Sequence, residues 1–269
     1  MWHLASFDAP TVAVVWAFTI ARVAHIHLAF WVALLLAAGT WTVYVLDRIL
    51  DARSATGSLA HAPLRERHHF HWRHRRIFIP FAVCSALAAL AMIVKLMPTA
   101  AREHNSIIAA AALAYFSGVH GKARFPHWLR HLGSKELLVG ILFASGCVAP
   151  TLARLHSSSV WPVILALGVL AALAWLNCAA ISSWESDLSS DCIPAAAFTL
   201  AITGLLLSLL LGPALAQTSA LLACAAISAL LIAGLHYLGS HIHPVTLRAL
   251  ADLVLLVPGI LLIPGVLPA

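Results

Sequence analysis

The spacing of charged residues constrains this chain more than any other feature. A bilayer core of about 30 Å takes about 20 apolar residues to cross as a helix. Stretches of that kind recur along the whole chain, at about residues 10–26, 28–47, 77–97, 105–120, 136–153, 160–182, 193–212, 217–238 and 245–266. Of the 269 residues, 62% are hydrophobic and only 10% charged. A soluble domain carries roughly a quarter charged residues, so a chain this poor in charge cannot cover its apolar surface in water. The pattern predicts an all-α integral membrane protein of about nine transmembrane helices, a single domain over 1–269 with no linker. The opening residues MWHLASFDAP lack a basic segment and a small-residue cleavage site, so the first span is expected to stay in the mature protein. The first two stretches are ambiguous. Arg22, His25 and His27 sit between them, and either two short or tilted helices or one long helix with a re-entrant start fits the spacing.

Basic residues set the expected orientation. Segment 48–76 holds Arg48, Arg53, Arg65, Arg67, Arg73, Arg75 and Arg76, and segment 120–135 adds Lys122, Arg124, Arg130 and Lys135. The opposite side offers little beyond Lys95, Arg102 and Arg154. Lys and Arg concentrate in cytoplasmic loops, so both basic segments, and with them 183–192, are expected at the cytoplasmic face. The formal charge of +6 is accounted for by topology and lipid headgroups, and no nucleic-acid partner is expected. The five cysteines are scattered without a C-x-x-C spacing, which reads as small core residues rather than disulfides or a zinc site.

The acids are few and clustered. Five of the ten acidic residues fall in two places, Asp47 with Asp51 and Glu185 with Asp187 and Asp191. Residues four apart share a helix face, so Asp47 and Asp51 point the same way, as do Asp187 and Asp191 if that helix continues past Trp184. Like charges at this spacing repel, and a helix C-terminus is the wrong dipole end for anions. Two such clusters on one side call for a cation. Oxygen ligands of this kind suit Mg²⁺, which takes a few carboxylates together with substrate phosphates. The bland alternative is a pair of solvated helix ends.

The positions of these clusters resemble those of the UbiA superfamily of intramembrane prenyltransferases, which have nine transmembrane helices and Asp-rich motifs after the second and sixth. The family's usual first motif is N-D-x-x-D-x-x-x-D. Its last five positions match Asp47-Arg48-Ile49-Leu50-Asp51, whereas Val43 and Tyr44 stand where Asn and Asp are usual. The second motif fits SWESD, with Ser183 in place of the first acid and Glu185 and Asp187 retained, or one turn later with Asp187 and Asp191 as the D-x-x-x-D pair. GSKELLVGILFASG is similar to the family's lysine before its fifth helix.

The resemblance implies a central cavity at whose cytoplasmic side Asp47, Asp51, Glu185, Asp187 and Asp191 hold Mg²⁺. It implies that Arg48 and Lys135, then Lys122, Arg124 and Arg130, contact the diphosphate of a prenyl diphosphate. The reaction implied is prenyl transfer to an aromatic or lipid acceptor in the membrane, here of a bacterial inner membrane. A terpene cyclase on the same scaffold and an ion-coupled transporter are the alternatives. The topological bias of basic loops is an equally good reading of any single one of these cations.

Three further features belong to the sequence. The run HHFHWRHRR (68–76) carries four histidines among arginines; it reads as a basic amphipathic segment on anionic headgroups rather than a metal site. Arg248 and Asp252, four apart in the last span, read as an ion pair within one helix. Asn177, inside the sixth span, is expected to bond a neighbouring helix or to line the cavity.

Overall fold

The computed structural model describes residues 2–57, 66–120, 135–155, 160–185, 192–211 and 215–266. Among these residues there are ten α-helices and no strand. They are α1 (Asp8–Val23), α2 (Phe30–Gly57), α3 (Glu66–Arg73), α4 (Arg75–Leu96), α5 (Thr99–His120), α6 (Lys135–Leu152), α7 (Val160–Glu185), α8 (Cys192–Leu211), α9 (Ala216–Leu238) and α10 (Pro244–Val254). Short 3₁₀ turns cover Gly239–His241 and Val257–Leu262.

Seven helical segments are long and apolar enough to cross a membrane: Phe30–Arg53, Arg75–Leu96, Lys135–Leu152, Val160–Glu185, Cys192–Leu211, Ala216–His241 and Pro244–Leu262. The count of nine is thereby corrected to seven among the described residues. α1 has 16 residues, short of the length a span needs, and α5 carries Arg102, Glu103, His104 and Asn105 within its first two turns. The outer faces of the long helices are apolar. Leu87 and Leu90 of α4 and Leu209 and Leu210 of α8 are each more than half exposed, and such a surface needs a lipid surround. The protein is an all-helical membrane protein.

The chain divides into two compact units, Met1–Val14 with Ala29–Arg124, and Val15–Leu28 with Phe125–Ala269. In the first unit α2 packs on α3 and α4. Val45, Ile49 and Ala52 lie at helical spacing on one face and are buried. Val45 and Ile49 meet Ala82 of α4, with Trp41, Trp72 and Phe78 around them. The N-terminal residues are tied to this body. The Trp41 indole N–H donates to the Ala5 carbonyl at 2.9 Å, and Phe7 stacks on Trp41 with ring centroids 6.0 Å apart. Phe7 N–H bonds Trp2 O and Ser6 N–H bonds His3 O, each at 3.2 Å, with Ser6 at φ 59°. That pair of bonds around a left-handed residue is the geometry of a Schellman turn.

The same device separates α1 from α2. Ile26 N–H bonds Ala21 O at 2.7 Å and His25 N–H bonds Arg22 O at 3.0 Å. His25 takes the left-handed position at φ 55°, where glycine is usual. The stretch before Asp47 is therefore two helices, and the reading as one long helix is excluded. In the second unit α9 packs on α8, α7 and α10, and α6 packs on α7.

The last span is not one helix. Pro258 has no N–H to give Val254 O, and Gly259 N–H bonds Leu256 O instead, at 2.8 Å. The carbonyls this frees are met from neighbouring helices: Ser228 Oγ donates to Val254 O (3.0 Å) and the Trp16 indole N–H to Leu255 O (2.7 Å). Backbone polar groups inside a bilayer need such partners. Trp16 is fully buried and meets Phe143 edge-on at 5.7 Å, which holds its donor in place.

Candidate functional site

The carboxylates of the first motif lie inside a helix, not at its end. α2 runs on to Gly57, so Asp47 and Asp51 are well before its last turn. Because the dipole acts within the terminal turn, the expected dipole penalty does not apply to them. Their mutual repulsion remains. Both are half-buried, one turn apart on a face adjoining the packed Val45–Ile49–Ala52 face.

Arg48 sits between them and is 9% exposed. Its Nη1 donates to Asp47 Oδ2 at 3.0 Å, and its guanidinium lies 5.5 Å from the Tyr44 ring centre. Its Nε–H is buried and has no hydrogen-bond partner among the described residues. A buried charged donor without an acceptor is costly, and a phosphate oxygen is the acceptor that guanidinium geometry fits best. Tyr44 is thus a packing partner of Arg48. Its spacing of four residues from Arg48 was the available signal.

One residue of the histidine run departs from the headgroup-facing segment expected: His71 turns inward, while His69, Arg73 and Arg76 stay exposed. Residues 66–73 form α3, and His71 is completely buried. Its Nε2 lies 3.4 Å from Ser6 Oγ, and its ring lies against Phe78, with centroids 4.4 Å apart. His74 Nδ1 bonds Phe70 O at 2.9 Å, and His3 Nδ1 lies 2.7 Å from Asp8 Oδ2. Loss of hydration holds His71 down at about 4 from 6.5; Arg48 and His74 push the same way, and Asp8 opposes them. His71 is therefore neutral in the folded chain near pH 7.

Below about pH 6.5 the unfolded chain takes up a proton at this histidine that the folded chain refuses until about pH 4. Stability from this group is thus present above pH 6.5 and is lost as the pH falls through that window. The melting temperature of the solubilised protein should drop between pH 6.5 and 4, and His71→Gln should drop less steeply. Parallel curves for the two proteins would contradict this.

The second cluster lies in the other unit. Glu185 is the last described residue of α7, and its Oε1 pairs with Arg248 Nη1 of α10. Two turns deeper, Asn177 Nδ2 donates to Asp252 Oδ1 at 3.2 Å. Asn177 is 4% exposed, and its Oδ1 has no partner among the described residues. Arg248 thus makes a cross-helix ion pair with Glu185 and balances its charge, and Asn177 bonds its neighbour as expected. The Trp184 indole N–H donates to His236 Nδ1 at 3.1 Å, which sequence pattern did not foretell.

Lys135 opens α6 and is exposed. Asp187, Asp191, Lys122, Arg124 and Arg130 lie outside the described residues. All five cysteines are free thiols. No family model, curated protein or solved structure matches the chain.

Proposed function

We propose that the chain is an intramembrane prenyltransferase that takes a prenyl diphosphate and passes its prenyl group to a hydrophobic acceptor. One observation carries this reading: buried Arg48, between two carboxylates one turn apart, holds a donor that lacks an acceptor among the described residues. Asp47 and Asp51 offer oxygen ligands only, which fits Mg²⁺ shared with a diphosphate; Asp187 and Asp191 of the second cluster are likewise proposed as carboxylates for Mg²⁺. Bound there, Mg²⁺ would supply charge neutralisation for the leaving diphosphate. Arg48 would donate Nε–H to a phosphate oxygen while Nη1 keeps Asp47 oriented. The prenyl chain would lie among apolar side chains, away from the water that would capture an allylic cation. The proposed setting is a bacterial inner membrane with this site on the cytoplasmic side.

The test is mass spectrometry of products from the reconstituted protein given a series of prenyl diphosphates, Mg²⁺ and candidate aromatic or lipid acceptors. Prenylated acceptor supports transfer. Cyclic hydrocarbon or alcohol formed without acceptor would replace it with a cyclase. A second reading, an ion-coupled transporter, is favoured by Asp252 and Asn177 meeting inside a span that breaks after Val254, a pattern known from transporters. Cation uptake by vesicles, with no consumption of prenyl diphosphate, would establish it instead.

A further inference from the structure

The densest positive charge outside the α2 site lies at the foot of α4. Arg73 ends α3, Arg75 and Arg76 open α4, and no carboxylate occurs between Arg67 and Arg102. Arg73 and Arg76 are exposed. Arg75 is held in place: its guanidinium lies 4.4 Å over the Trp72 ring, and its Nη1 donates to Trp72 O at 2.8 Å.

Directly beyond these cations the surface of α4 turns apolar, with Ile77, Ile79, Phe81 and Leu87 all exposed. The helix has 22 residues, about 33 Å at about 1.5 Å per residue, which matches the hydrocarbon thickness of a bilayer. The three guanidinium groups therefore stand where hydrocarbon gives way to phosphate, and Lys95 stands at the other end of the helix. Two other arginines are engaged within their own segments: Arg102 donates to Thr99 Oγ1 and Arg154 to Pro150 O.

We infer that Arg73, Arg75 and Arg76, with Trp72, form a binding site for the headgroup of an anionic phospholipid. Guanidinium groups match phosphate oxygens in a two-point geometry, and indole rings settle at the level of the headgroups. Stacking on Trp72 fixes Arg75 before the lipid arrives, so less freedom is lost on binding. The site is separate from the proposed reaction and does not depend on it.

The test uses the full chain in mixed micelles of equal phosphatidylglycerol and phosphatidylcholine, with retained lipids identified by native mass spectrometry. Each basic side chain near an anionic surface is worth about fivefold in affinity. The wild type should retain phosphatidylglycerol preferentially. The double variant Arg73→Gln, Arg76→Gln should lose about 25-fold of that preference on the same rule, and Lys95→Gln should keep it. Equal retention of the two lipids by the wild type, or an unchanged preference in the double variant, would overturn the inference. So would displacement of phosphatidylglycerol by glycerol phosphate at matched concentration, because the site would then read a free phosphate rather than a lipid.

Discussion

Asp47→Asn and Asp51→Asn should each reduce Mg²⁺-dependent consumption of a prenyl diphosphate by about 100-fold or more, the scale on which removal of a group stabilising transition-state charge is felt. The fold should survive both changes. α2 is anchored through Val45, Ile49 and Ala52, and the two carboxylates are half-buried off that face. Asn keeps the volume and removes the charge, so lost turnover with an unchanged melting temperature in Asp51→Asn isolates the chemistry. The Asp47 change carries a second consequence. It deprives Arg48 Nη1 of its charged partner at 3.0 Å and leaves a buried guanidinium less compensated. Arg48→Gln should then raise the KM for the prenyl diphosphate more than it lowers kcat, because its missing acceptor is assigned to the bound diphosphate. Normal turnover in both aspartate variants would remove α2 from the chemistry.

The largest structural effect is expected at Gly140. A Cβ there would stand 2.8 Å from Trp175 N and 2.9 Å from Ala171 O, both backbone atoms of α7. No rotamer change relieves such a clash, so α6 and α7 must separate along their contact. Overpacking of this kind costs about 1–3 kcal/mol or more, and close backbone approach is a main source of helix association in lipid. Gly140→Ala should therefore lower the melting temperature of the solubilised protein by several degrees. On the same helix, a methyl group added at Gly146 would meet no described atom within 4 Å. Gly146→Ala should be neutral or stabilising, since alanine gains about 0.5–1 kcal/mol over glycine in a helix interior. Equal behaviour of the two variants would show that α6 and α7 do not meet as described.

The seven long apolar helices were legible in the sequence because hydropathy reports burial in lipid directly, whereas polar α3 was not. The interruptions between and within helices were less legible. The turn after α1 was marked by Arg22, His25 and His27, but His25 takes a left-handed conformation that normally announces itself with glycine. Pro258 did carry a signal, since proline withholds a helical donor. What the sequence could not show is that Ser228 and Trp16, far away in the chain, supply the replacement donors. In the candidate site, the spacing of Asp47 and Asp51 was readable from helical periodicity alone. The burial of Arg48 was not, because an arginine beside a membrane span ordinarily reads as a topology signal. His71 was hidden for a related reason: it sits in a run of basic and polar residues that looks solvent-facing, yet Ser6 and Phe78 enclose it. The pairing of Glu185 with Arg248 joins residues far apart in sequence, which no local pattern encodes.

We propose that the α2 carboxylates and Arg48 serve a metal-bound diphosphate. The most direct test is release of inorganic diphosphate from a prenyl diphosphate by the purified, reconstituted chain, with Mg²⁺ and then with a chelator. Release that requires Mg²⁺ and is lost in Asp47→Asn is the predicted result. Release that persists in chelator or in the variant, or no release from any prenyl diphosphate in the series, would contradict it.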